Sequence, residues 1–584
     1  MKILSLHCDY IKFKALKKAL KEPEELSEAD KKEKTVKEAL VILTAVENGD
    51  NDSKELVENI KDLAKQVKAE NIVLYPYAHL SPNLSSPDVA VQILKQAEKE
   101  LVKTKLFKQV VRAPFGYYKE FELKCKGHPL SELSRSFGVG VNLKGHVADT
   151  KSTQVAAITK EEPIDYKQLL REISKTKLDT SKIKDNDHRI VGKQLDLFSF
   201  SDVAPGMVFW HNNGLIVYNE LINFWRDEHQ KANYQEIRTP QIMDAKLWKV
   251  SGHWEKYKEN NFVTEYEKRP FLIKPMNCPG GMLVYKNSPK SYKDLPLRVG
   301  EIGTVHRCEL SGVLAGLFRV IQITQDDAHI FCANEKQVRS EIAGVMNLIK
   351  TFYEKFNLSF DHIELSTRPE KRVGSDEIWD MAEKILEDVL KESKVKYQVN
   401  KGDGAFYGPK IDFHVKDSLG RTWQLSTIQL DFALPERFDL EYIDKDNKPQ
   451  RPIMLHRVIY GSIERFVGIL LEHTNGNLPA WLSPVQVAVV PISEKQVDYA
   501  KQVEKQIKNE SIRTFLFSDG ETLQKRIRDA QLQKIPYIIV VGDKEKEAKK
   551  INLRLRTGEA VGEMSVADFL KRAKEKISNR TLEL

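Results

Sequence analysis

The amino-acid sequence predicts an α/β and α+β protein of several domains. A length of 584 residues corresponds to roughly three to four domains. Strand-like apolar runs alternate with lysine- and glutamate-rich helical patterns towards both ends, and the middle mixes long helical patterns with β-rich stretches such as IDFHVKDSLGRTWQLSTIQLDF. A hydrophobic content of 41% and a charged content of 30% are typical of a globular protein with an ample core.

The pattern divides the chain into four segments. Residues 1–145 are predicted to form a small α/β unit, in which MKILSLH, EALVILTAV and NIVLYPY are strands separated by helices and followed by a turn-rich piece, RAPFGYYKEFELKCKGHPLSELSR. Residues 146–186 are polar and weakly patterned, which indicates a linker with room for one helix. Residues 187–480 form a large middle unit. Residues 481–584 alternate strands (VQVAVVPI, RTFLF and PYIIVVGD) with helices, as expected of a compact α/β domain.

Composition argues against a membrane or secreted protein. No apolar run approaches the ~18 residues of a membrane span, and the start, MKILSLHCDYIKFKALKK, has too short an apolar run and too many lysines for a secretory signal. The five cysteines are scattered without a C-x-x-C pair, so neither a disulfide framework nor a zinc ribbon is indicated. We therefore expect a cytoplasmic protein. The net charge of +8 permits a polyanionic partner, although a solvated lysine-rich surface explains it as well.

The stretch ITQDDAHIF contains an unusual row of polar side chains. If it is a strand, Gln325, Asp327 and His329 point to the same side. Burying such a row costs desolvation free energy unless its hydrogen-bonding groups are satisfied. The candidates for satisfying them are a polar ligand, a metal ion and water.

Nucleotide binding, if present, must depend on arginine. No G-x-x-x-x-G-K-[ST] loop occurs, so ATP would be held mainly by arginines and a divalent metal. The guanidinium fork binds phosphate oxygens in pairs, and its plane stacks on a base.

Three segments could contribute to an ATP site of this kind. YQEIRTPQI is predicted to end a helix at a Thr-Pro step, and LPLRVGEIGTVHRCELSG alternates into a strand that carries Arg307 and Glu309. LHRVIYGSIERFVGILLEH has the pattern of an amphipathic helix on which Ser462 and Arg465 share a face. The alternative for Arg465 is a surface arginine paired with Glu464 or another acid.

Together these segments resemble the three signature motifs of class II aminoacyl-tRNA synthetases, and the class I signatures HIGH and KMSKS are absent. LWKVSGHWEKY, IKPMNCPG, HRCELSGVL, TQDDAHIFC, RPEKRVGSDEIWD, GAFYGPKIDF, WQLSTIQLDFALPERF and LHRVIYGSIERF follow the order typical of threonyl-tRNA synthetases. From about Asp187 to its C-terminus the chain therefore resembles that family, with its antiparallel-sheet catalytic core. The N-terminal segment, described below, resembles the editing domain of the archaeal members of this family.

The resemblance implies one zinc ion per chain, held by Cys278, His329 and His456, with open positions for substrate. The residues alone would suggest a buried core thiol and two satisfied imidazoles. Threonine and valine are nearly isosteric, and an apolar pocket separates such pairs only ~100-fold. A zinc ion that binds the amino group and the hydroxyl rejects valine. Asp327 is expected to accept the hydroxyl proton, or alternatively to orient a zinc-bound histidine.

The implied reaction has two steps, adenylate formation and transfer to tRNA. By resemblance, Arg307 holds the α-phosphate, Arg465 packs on the adenine or holds the terminal phosphate, and Mg²⁺ accompanies ATP. His253 is a candidate proton acceptor for transfer, or else a structural histidine packed on Trp254. The other substrate and ATP contacts are expected at Met276, Glu309, Arg319, Gln325, Asp327, Tyr407, Lys410, Gln424, Thr427, Gln429 and Ser462.

Four positions depart from the usual motifs of this family. The chain has CPGG, LAGL and RVIQITQDD where CPGH, LHGL and RVRxFTQDD are usual. Gly281 and Ala315 lack imidazoles, Ile321 lacks an arginine, and Ile323 lies in the same altered stretch. These changes concern the ATP and acceptor-end contacts, because all three zinc ligands and both main arginines are retained.

Both ends carry further resemblances. A site that selects a hydroxyl cannot exclude serine, so a separate hydrolytic site is expected. The N-terminal segment resembles the archaeal editing domain, which is related to D-aminoacyl-tRNA deacylases, and implies editing residues His79, Tyr118, Lys119 and Glu132. A solvated lysine is the alternative for Lys119. The C-terminal segment resembles the anticodon-binding domain of class II synthetases, with candidate readers Lys534, Glu545 and Arg554.

The sequence thus predicts a homodimeric threonine–tRNA ligase that binds tRNA(Thr), ATP and L-threonine and edits seryl-tRNA(Thr). One alternative is a synthetase-like tRNA-binding or regulatory protein that no longer activates threonine. Another is a chain that edits while ligation is weak.

Overall fold

The computed structural model describes residues 1–137 and 183–584, apart from residues 21, 22, 29, 82, 129, 257–259, 418, 419 and 519. The chain divides into two compact units, residues 1–162 and 163–584. Most of the predicted linker, up to residue 182, lies outside the described residues. Within the described ranges, no helix combines the length and apolar character needed to cross a membrane.

The N-terminal unit is built on a six-stranded sheet. Its strands in spatial order are Gln109–Arg112, Asn71–Pro76, Lys34–Ala45, Lys2–Lys18 and Tyr117–Cys125, and Glu132–Ser136 also pairs with Lys2–Lys18. The helices Lys54–Val67 and Pro87–Lys103 cover one side, where Ile60 and Ile93 pack with Ile42 and Ile72. A short 3₁₀ helix, Ala78–Leu80, follows one strand. The three predicted strands are confirmed.

Two details of the N-terminal prediction are wrong. The first strand continues to Lys18 instead of giving way to a helix, because Ile11, Phe13 and Ala15 alternate inward between outward lysines. The segment predicted to be turn-rich instead supplies two strands of the sheet, which end at Cys125 and Ser136. In both cases the high lysine content concealed an alternation of period two.

The second unit holds an eight-stranded, mainly antiparallel sheet. Its spatial order is Gln398–Asn400, His362–Ser366, Lys410–Lys416, Thr422–Asp431, Ile453–Val458, Gln322–Cys332, Leu297–His306 and Gln235–Glu236, and only the outermost pair at each edge is parallel. The long helices are Asn212–Lys231, Glu335–Lys355, Asp376–Glu392 and Ile463–Thr474. They pack on one face of the sheet and form the largest core, which leaves the other face to build the site.

Shorter elements complete this part of the chain. The helices are His188–Gln194, Ala245–Ser251, His253–Lys256, Cys278–Lys286 and Ala433–Arg437, with 3₁₀ turns at Tyr292–Asp294 and Ser311–Val313. The short strands are Phe198–Ser199, Phe209–Trp210, Ile242–Asp244, Val263–Tyr266, Arg269–Ile273, Tyr442–Ile443 and Pro449–Gln450.

Two of the predicted motif structures need correction. The helix before YQEIRTPQI ends at Lys231, and the motif itself contributes the strand Gln235–Glu236. LHRVIYGSIERFVGILLEH is a strand followed by a helix and not one helix. The break falls at Gly461, whose φ of 78° is in the left-handed region that favours glycine. Ser462 is the N-cap, accepting from the Arg465 backbone N–H through its hydroxyl, so it precedes the helix.

The C-terminal part confirms the predicted strand–helix alternation. Its five-stranded sheet has the order Thr514–Leu516, Val487–Pro491, Tyr537–Val541, Lys550–Leu555 and Ala560–Ser565, of which the first three are parallel. The helices are Val497–Asn509, Leu523–Leu532, Asp543–Ala548 and Val566–Ser578, with a 3₁₀ turn at Glu494–Gln496. The predicted α/β and α+β multidomain class is confirmed.

Candidate active site

The polar row predicted in ITQDDAHIF lies on the central strand Gln322–Cys332, as expected. The antiparallel register places His329 directly opposite His456 on the neighbouring strand. Gln325 and Asp327 line a cavity beside this strand. The row therefore belongs to a site on the face of the sheet opposite the four long helices.

Cys278 completes a three-residue cluster with the two histidines. It is the first residue of the helix Cys278–Lys286, and its sulfur and one nitrogen from each of His329 and His456 lie within 4.8 Å of one another. The two imidazole ring centroids are 4.9 Å apart. All three side chains are buried. The structure thus brings together residues that are about 50 and 130 positions apart in the sequence.

The protonation chemistry of this cluster fits a zinc ion. Burial lowers the pKa of His329 to about 4, so its ring is neutral at pH 7 and has a lone pair to offer. Its Nε2 is buried without a hydrogen-bond partner in the described part of the chain. Burial raises the pKa of the Cys278 thiol, and nearby Asp327 and Asp431 raise it further. A divalent cation would satisfy the nitrogen and stabilise the thiolate.

Neighbouring polar groups orient the cluster. Asp431 Oδ2 lies 2.8 Å from His456 Nε2, and the Asn277 amide donates to Asp327 Oδ2 at 3.3 Å. A carboxylate on one nitrogen fixes a ligating imidazole and leaves the other nitrogen for the metal. The sequence reasoning missed Asp431, although it lies two positions after Gln429 on the same strand.

The cavity beside the cluster has a volume of about 370 Å³. The predicted site residues that line it are His253, Met276, Cys278, Arg307, Glu309, Gln325, Asp327, Tyr407, Lys410, Gln424, Thr427, Gln429 and His456, whereas Arg319, His329, Ser462 and Arg465 are not among its lining residues. The sequence reasoning did not single out the remaining lining residues, which are Asn260, Asn261, Pro275, Ala405, Arg457 and Val458.

Three arginines gather at the edge of this cavity. The Arg319 guanidinium donates to Glu309 at 2.9 Å, and Arg307 donates to Met276 Sδ at 3.1 Å. Burial lowers the pKa of Arg465, and the positive charges of Arg319 and Arg307 lower it further. An anionic ligand such as a triphosphate relieves this repulsion.

The pairing of Arg465 with Glu464, considered from the sequence, is wrong. Arg465 donates to the backbone carbonyls of Phe318 at 2.9 Å and Gln424 at 3.0 Å. Glu464 instead accepts from the Thr324 backbone N–H at 2.9 Å. Arg465 therefore keeps its charge for a ligand while two neutral carbonyls fix its position.

A buried carboxylate, which the sequence analysis did not identify, holds several side chains that line the cavity. Asp412 accepts from Lys410, Ser366 and Thr427, each at 2.8 Å, and from the Gln424 amide. Asp412 lies two residues after Lys410 on one strand, so alternation could have identified it. Three predicted contacts thus depend on one carboxylate for their orientation.

His253 is fully buried and lines the cavity. Its Nδ1 lies 2.9 Å from the Ser251 hydroxyl, and its ring packs edge-on against that of Trp248. Burial lowers the pKa of His253 to about 3, so the imidazole is neutral at pH 7. A neutral ring can accept a proton.

The N-terminal unit has a cavity of about 520 Å³ of its own. Of the four editing residues that the resemblance implies, His79, Tyr118 and Lys119 line this cavity and Glu132 does not. Lys119 Nζ donates to the carbonyls of Pro114 at 3.0 Å and of Tyr117 at 3.1 Å, and burial lowers its pKa to about 8. Lys119 is therefore not simply a solvated lysine.

The candidate anticodon residues lie in different settings. Lys534 lines a cavity of about 260 Å³ with Asn213 and Gly476. Glu545 accepts from the Gly542 backbone N–H at 2.9 Å and caps its own helix, and Arg554 is exposed on a strand. Of the three, Arg554 is exposed, whereas Lys534 and Glu545 are half-buried.

Two of the departures have clear surroundings. A Cβ at Gly281 would lie 3.4 Å from His329 Nδ1, so the usual imidazole at this position would point at a cluster residue. Ile321 is buried, and its backbone N–H donates to the Gly206 carbonyl at 2.6 Å. Both departures thus adjoin the site without removing a ligand.

Comparison with protein-family models defines the class. The Archaea-specific editing domain of threonyl-tRNA synthetase matches residues 1–137. The class II tRNA synthetase core domain (G, H, P, S and T) matches residues 261–474, and an anticodon-binding domain matches residues 486–576. The chain therefore has the domains of a class II aminoacyl-tRNA synthetase.

Individual relatives narrow this class. A threonine–tRNA ligase from Caldanaerobacter subterraneus subsp. tengcongensis is 55% identical over 399 residues, which cover 68% of this chain and 62% of the relative. One from Clostridium botulinum is 51% identical over 426 residues, 73% of this chain and 65% of the relative. The solved RNA binding domain of threonyl-tRNA synthetase from Cryptosporidium parvum Iowa II is 40% identical with a TM-score of 0.65, covering 68% of this chain and 99% of that one. This chain belongs to the threonyl-tRNA synthetase family, and it spans a little under two thirds of the length of the curated relatives.

Proposed function

We propose that the protein is a threonine–tRNA ligase (EC 6.1.1.3), which activates L-threonine with ATP and transfers it to tRNA(Thr). The observation that carries the proposal is the buried cluster of Cys278, His329 and His456 at the cavity that Arg307 also lines. One cavity then has two functions: the cluster offers ligands for a metal ion that binds the amino acid, and the Arg307 guanidinium offers a positive charge for ATP.

The cluster is proposed to hold one zinc ion per chain. When bound, zinc supplies a Lewis acid with open positions for the amino and hydroxyl groups of threonine, which valine cannot match. Asp327, held by Asn277, accepts the hydrogen bond of the threonine hydroxyl. Gln325 and Tyr407 close the amino-acid side of the cavity.

Activation forms a bond between the threonine carboxylate and the α-phosphorus of ATP and expels pyrophosphate. Arg307 and Arg465 stabilise the charge that develops on the phosphoryl oxygens, and Mg²⁺ accompanies the nucleotide. In the transfer step the ribose hydroxyl of tRNA attacks the acyl carbon and AMP leaves. Neutral His253 is proposed to take the hydroxyl proton.

The N-terminal cavity is proposed to hydrolyse seryl-tRNA(Thr). Serine has the same hydroxyl as threonine and one methyl fewer, so a hydroxyl-selective site activates it too. Lys119, fixed by two carbonyls, and His79 position the ester, while Tyr118 borders the cavity.

The remaining proposals concern organisation. Residues 1–145 are proposed to form the editing domain, 146–186 the linker, 187–480 the catalytic domain and 481–584 the anticodon-binding domain. The anticodon-binding domain is proposed to contact the anticodon through Arg554, Lys534 and Glu545. The active form is proposed to be a cytoplasmic homodimer.

Charging of a tRNA(Thr) transcript with radiolabelled threonine tests the proposal. We expect threonyl-tRNA to accumulate and seryl-tRNA to be formed and cleared. Tight tRNA binding without any charging would overturn the ligase in favour of a regulatory tRNA-binding protein. Clearance of supplied seryl-tRNA with very weak threonine charging would favour a chain that mainly edits.

A further inference from the structure

Outside the zinc cluster, a second set of metal-ligating side chains lies on the same sheet. His362 and Glu364 are two residues apart on the strand His362–Ser366, and the antiparallel register places His414 directly opposite His362. One ligand atom from each of the three lies within 4.8 Å of the others. The imidazole rings stack at 4.4 Å between centroids, with a 10° angle between their planes.

Neighbouring polar residues orient these three side chains so that their ligand atoms face one another. Asp361 Oδ2 lies 2.8 Å from His362 Nδ1, and Asn400 and Gln398 each donate to Glu364 at 2.9 Å. The carboxylate oxygens of Glu364 face the Nε2 atoms of the two histidines, at 3.1 Å for His362 and 3.5 Å for His414. A carboxylate behind a ligating imidazole and amides behind a ligating carboxylate are the usual outer partners of a metal site.

One nitrogen in this set is left unsatisfied. His414 Nε2 is buried and makes no hydrogen bond to the described residues. Such an unmade bond costs free energy, which an ion between the three groups would recover. The side chains of His362, Glu364 and His414 are 28%, 13% and 15% exposed, so an ion can reach them from solvent.

A third group provides the contrast. Asp187, His188 and Glu472 also lie close together, but both ring nitrogens of His188 have partners. Glu472 lies 2.8 Å from Nδ1, and the Leu317 backbone N–H donates to Nε2 at 3.0 Å. This group is satisfied without an ion.

We propose that His362, Glu364 and His414 bind a second divalent transition-metal ion, zinc or one of its first-row neighbours. Two imidazoles and one carboxylate are a known ligand set for these ions and leave positions for water. Metal binding requires both Nε2 atoms to offer lone pairs, so each imidazole carries its proton on Nδ1, which in His362 faces Asp361 Oδ2 as a hydrogen-bond acceptor. The ion would link the strands that carry Ser366 and Asp412. This site does not depend on the proposed ligase activity.

Zinc binding by the full chain tests the proposal. The protein is stripped with a chelator, dialysed against Zn²⁺ alone and assayed for metal per chain, and thermal melting with and without Zn²⁺ verifies the fold. The variants are His414→Ala and the isosteric Glu364→Gln. The matched control is His473→Ala, which removes an exposed histidine on the helix Ile463–Thr474. Cys278→Ser distinguishes the two sites.

We expect two equivalents of zinc in the parent and in His473→Ala, and one in His414→Ala and Glu364→Gln. Cys278→Ser is expected to keep the equivalent that depends on His414. A parent that binds only the Cys278-dependent equivalent would overturn the second site, as would two equivalents in a folded His414→Ala or Glu364→Gln chain. A parent that binds only the His414-dependent equivalent would support this site and contradict the catalytic zinc.

Discussion

Cys278 lies buried near two carboxylates, and this environment sets the chemistry of its thiol. Burial, then the negative charges of Asp327 and Asp431, keep the pKa of the thiol high. Without a cation the sulfur stays protonated at pH 7, whereas a bound zinc ion releases the proton and holds the thiolate. The buried thiol is therefore a sensitive indicator of metal binding.

Replacing Cys278 by serine should remove the catalytic zinc and threonine activation together. A hydroxyl is a poor ligand for zinc, so we expect threonine-dependent activity to fall by about 100-fold or more. Metal analysis and pyrophosphate exchange measure the two effects. Cys125→Ser, in the N-terminal unit, is the control and should keep both. Full activity in folded Cys278→Ser protein would contradict the zinc assignment.

In the N-terminal cavity, Lys119 is the residue whose replacement tests the proposed editing site. Lys119→Met keeps the length of the side chain but removes the ammonium that Pro114 and Tyr117 hold. We expect charging with threonine to continue while deacylation of seryl-tRNA falls at least about tenfold, and this difference can be measured with preformed seryl-tRNA. Unchanged clearance of serine would remove Lys119 from the editing site.

The same lysine predicts a pH dependence of stability. Burial lowers the pKa of Lys119 from 10.5 to about 8. Between these values the unfolded chain binds more protons than the folded one, so the free energy of unfolding rises with pH. Relative to Lys119→Met, the parent should therefore gain stability from pH 8 to pH 10.5, as followed by thermal melting. A constant difference between parent and variant across this range would contradict the buried ammonium.

At the scale of elements, His188 joins two segments that are proposed to build the ATP side of the catalytic cavity. It accepts from the Leu317 N–H and lies 2.8 Å from Glu472 on the helix Ile463–Thr474. The next residue, Phe318, offers its carbonyl to Arg465. The position of Arg465 thus depends on a histidine that does not touch the cavity.

His188→Leu should raise the KM for ATP about tenfold and leave the zinc content unchanged. The substitution leaves the Leu317 N–H in the core without its acceptor, which costs about 1–3 kcal/mol, and it removes one of the partners of the Glu472 carboxylate. His188→Gln has an amide that can replace both bonds and should recover most of the affinity. Exchange kinetics at varied ATP measure the effect, and an unchanged KM in folded His188→Leu protein would contradict this role.

Strand alternation made much of the site predictable. Gln325, Asp327 and His329 share one side of a strand, as their spacing indicates, and the same rule would have found Asp412 and Asp431. Spacing could not join Cys278 to the histidines, because the tertiary fold alone brings them together. Only the resemblance to a known family supplied that set.

Other errors have a physical cause. Only four residues separate the strand Ile453–Val458 from the helix Ile463–Thr474, and both elements are rich in apolar residues, so periodicity alone merged the two. Lysines on an outward strand face concealed the strand that ends at Lys18. Glu132, which the resemblance assigned to editing, does not line the N-terminal cavity, and its role stays a prediction.

At the scale of the whole molecule, we propose that two cavities share the selection of the amino acid. The catalytic cavity is proposed to recognise a hydroxyl and an amino group, and so to accept serine as well as threonine. The N-terminal cavity is proposed to remove the serine product. Neither cavity alone would give accurate charging.

Amino-acid-dependent ATP–pyrophosphate exchange with threonine, serine and valine tests the central claim most directly. The account predicts rapid exchange with threonine, weaker exchange with serine, and exchange with valine at least about 100-fold below that with threonine. Comparable exchange with valine would contradict selection of the hydroxyl by zinc. Absence of exchange with all three amino acids, in zinc-loaded protein that binds tRNA, would contradict the ligase itself.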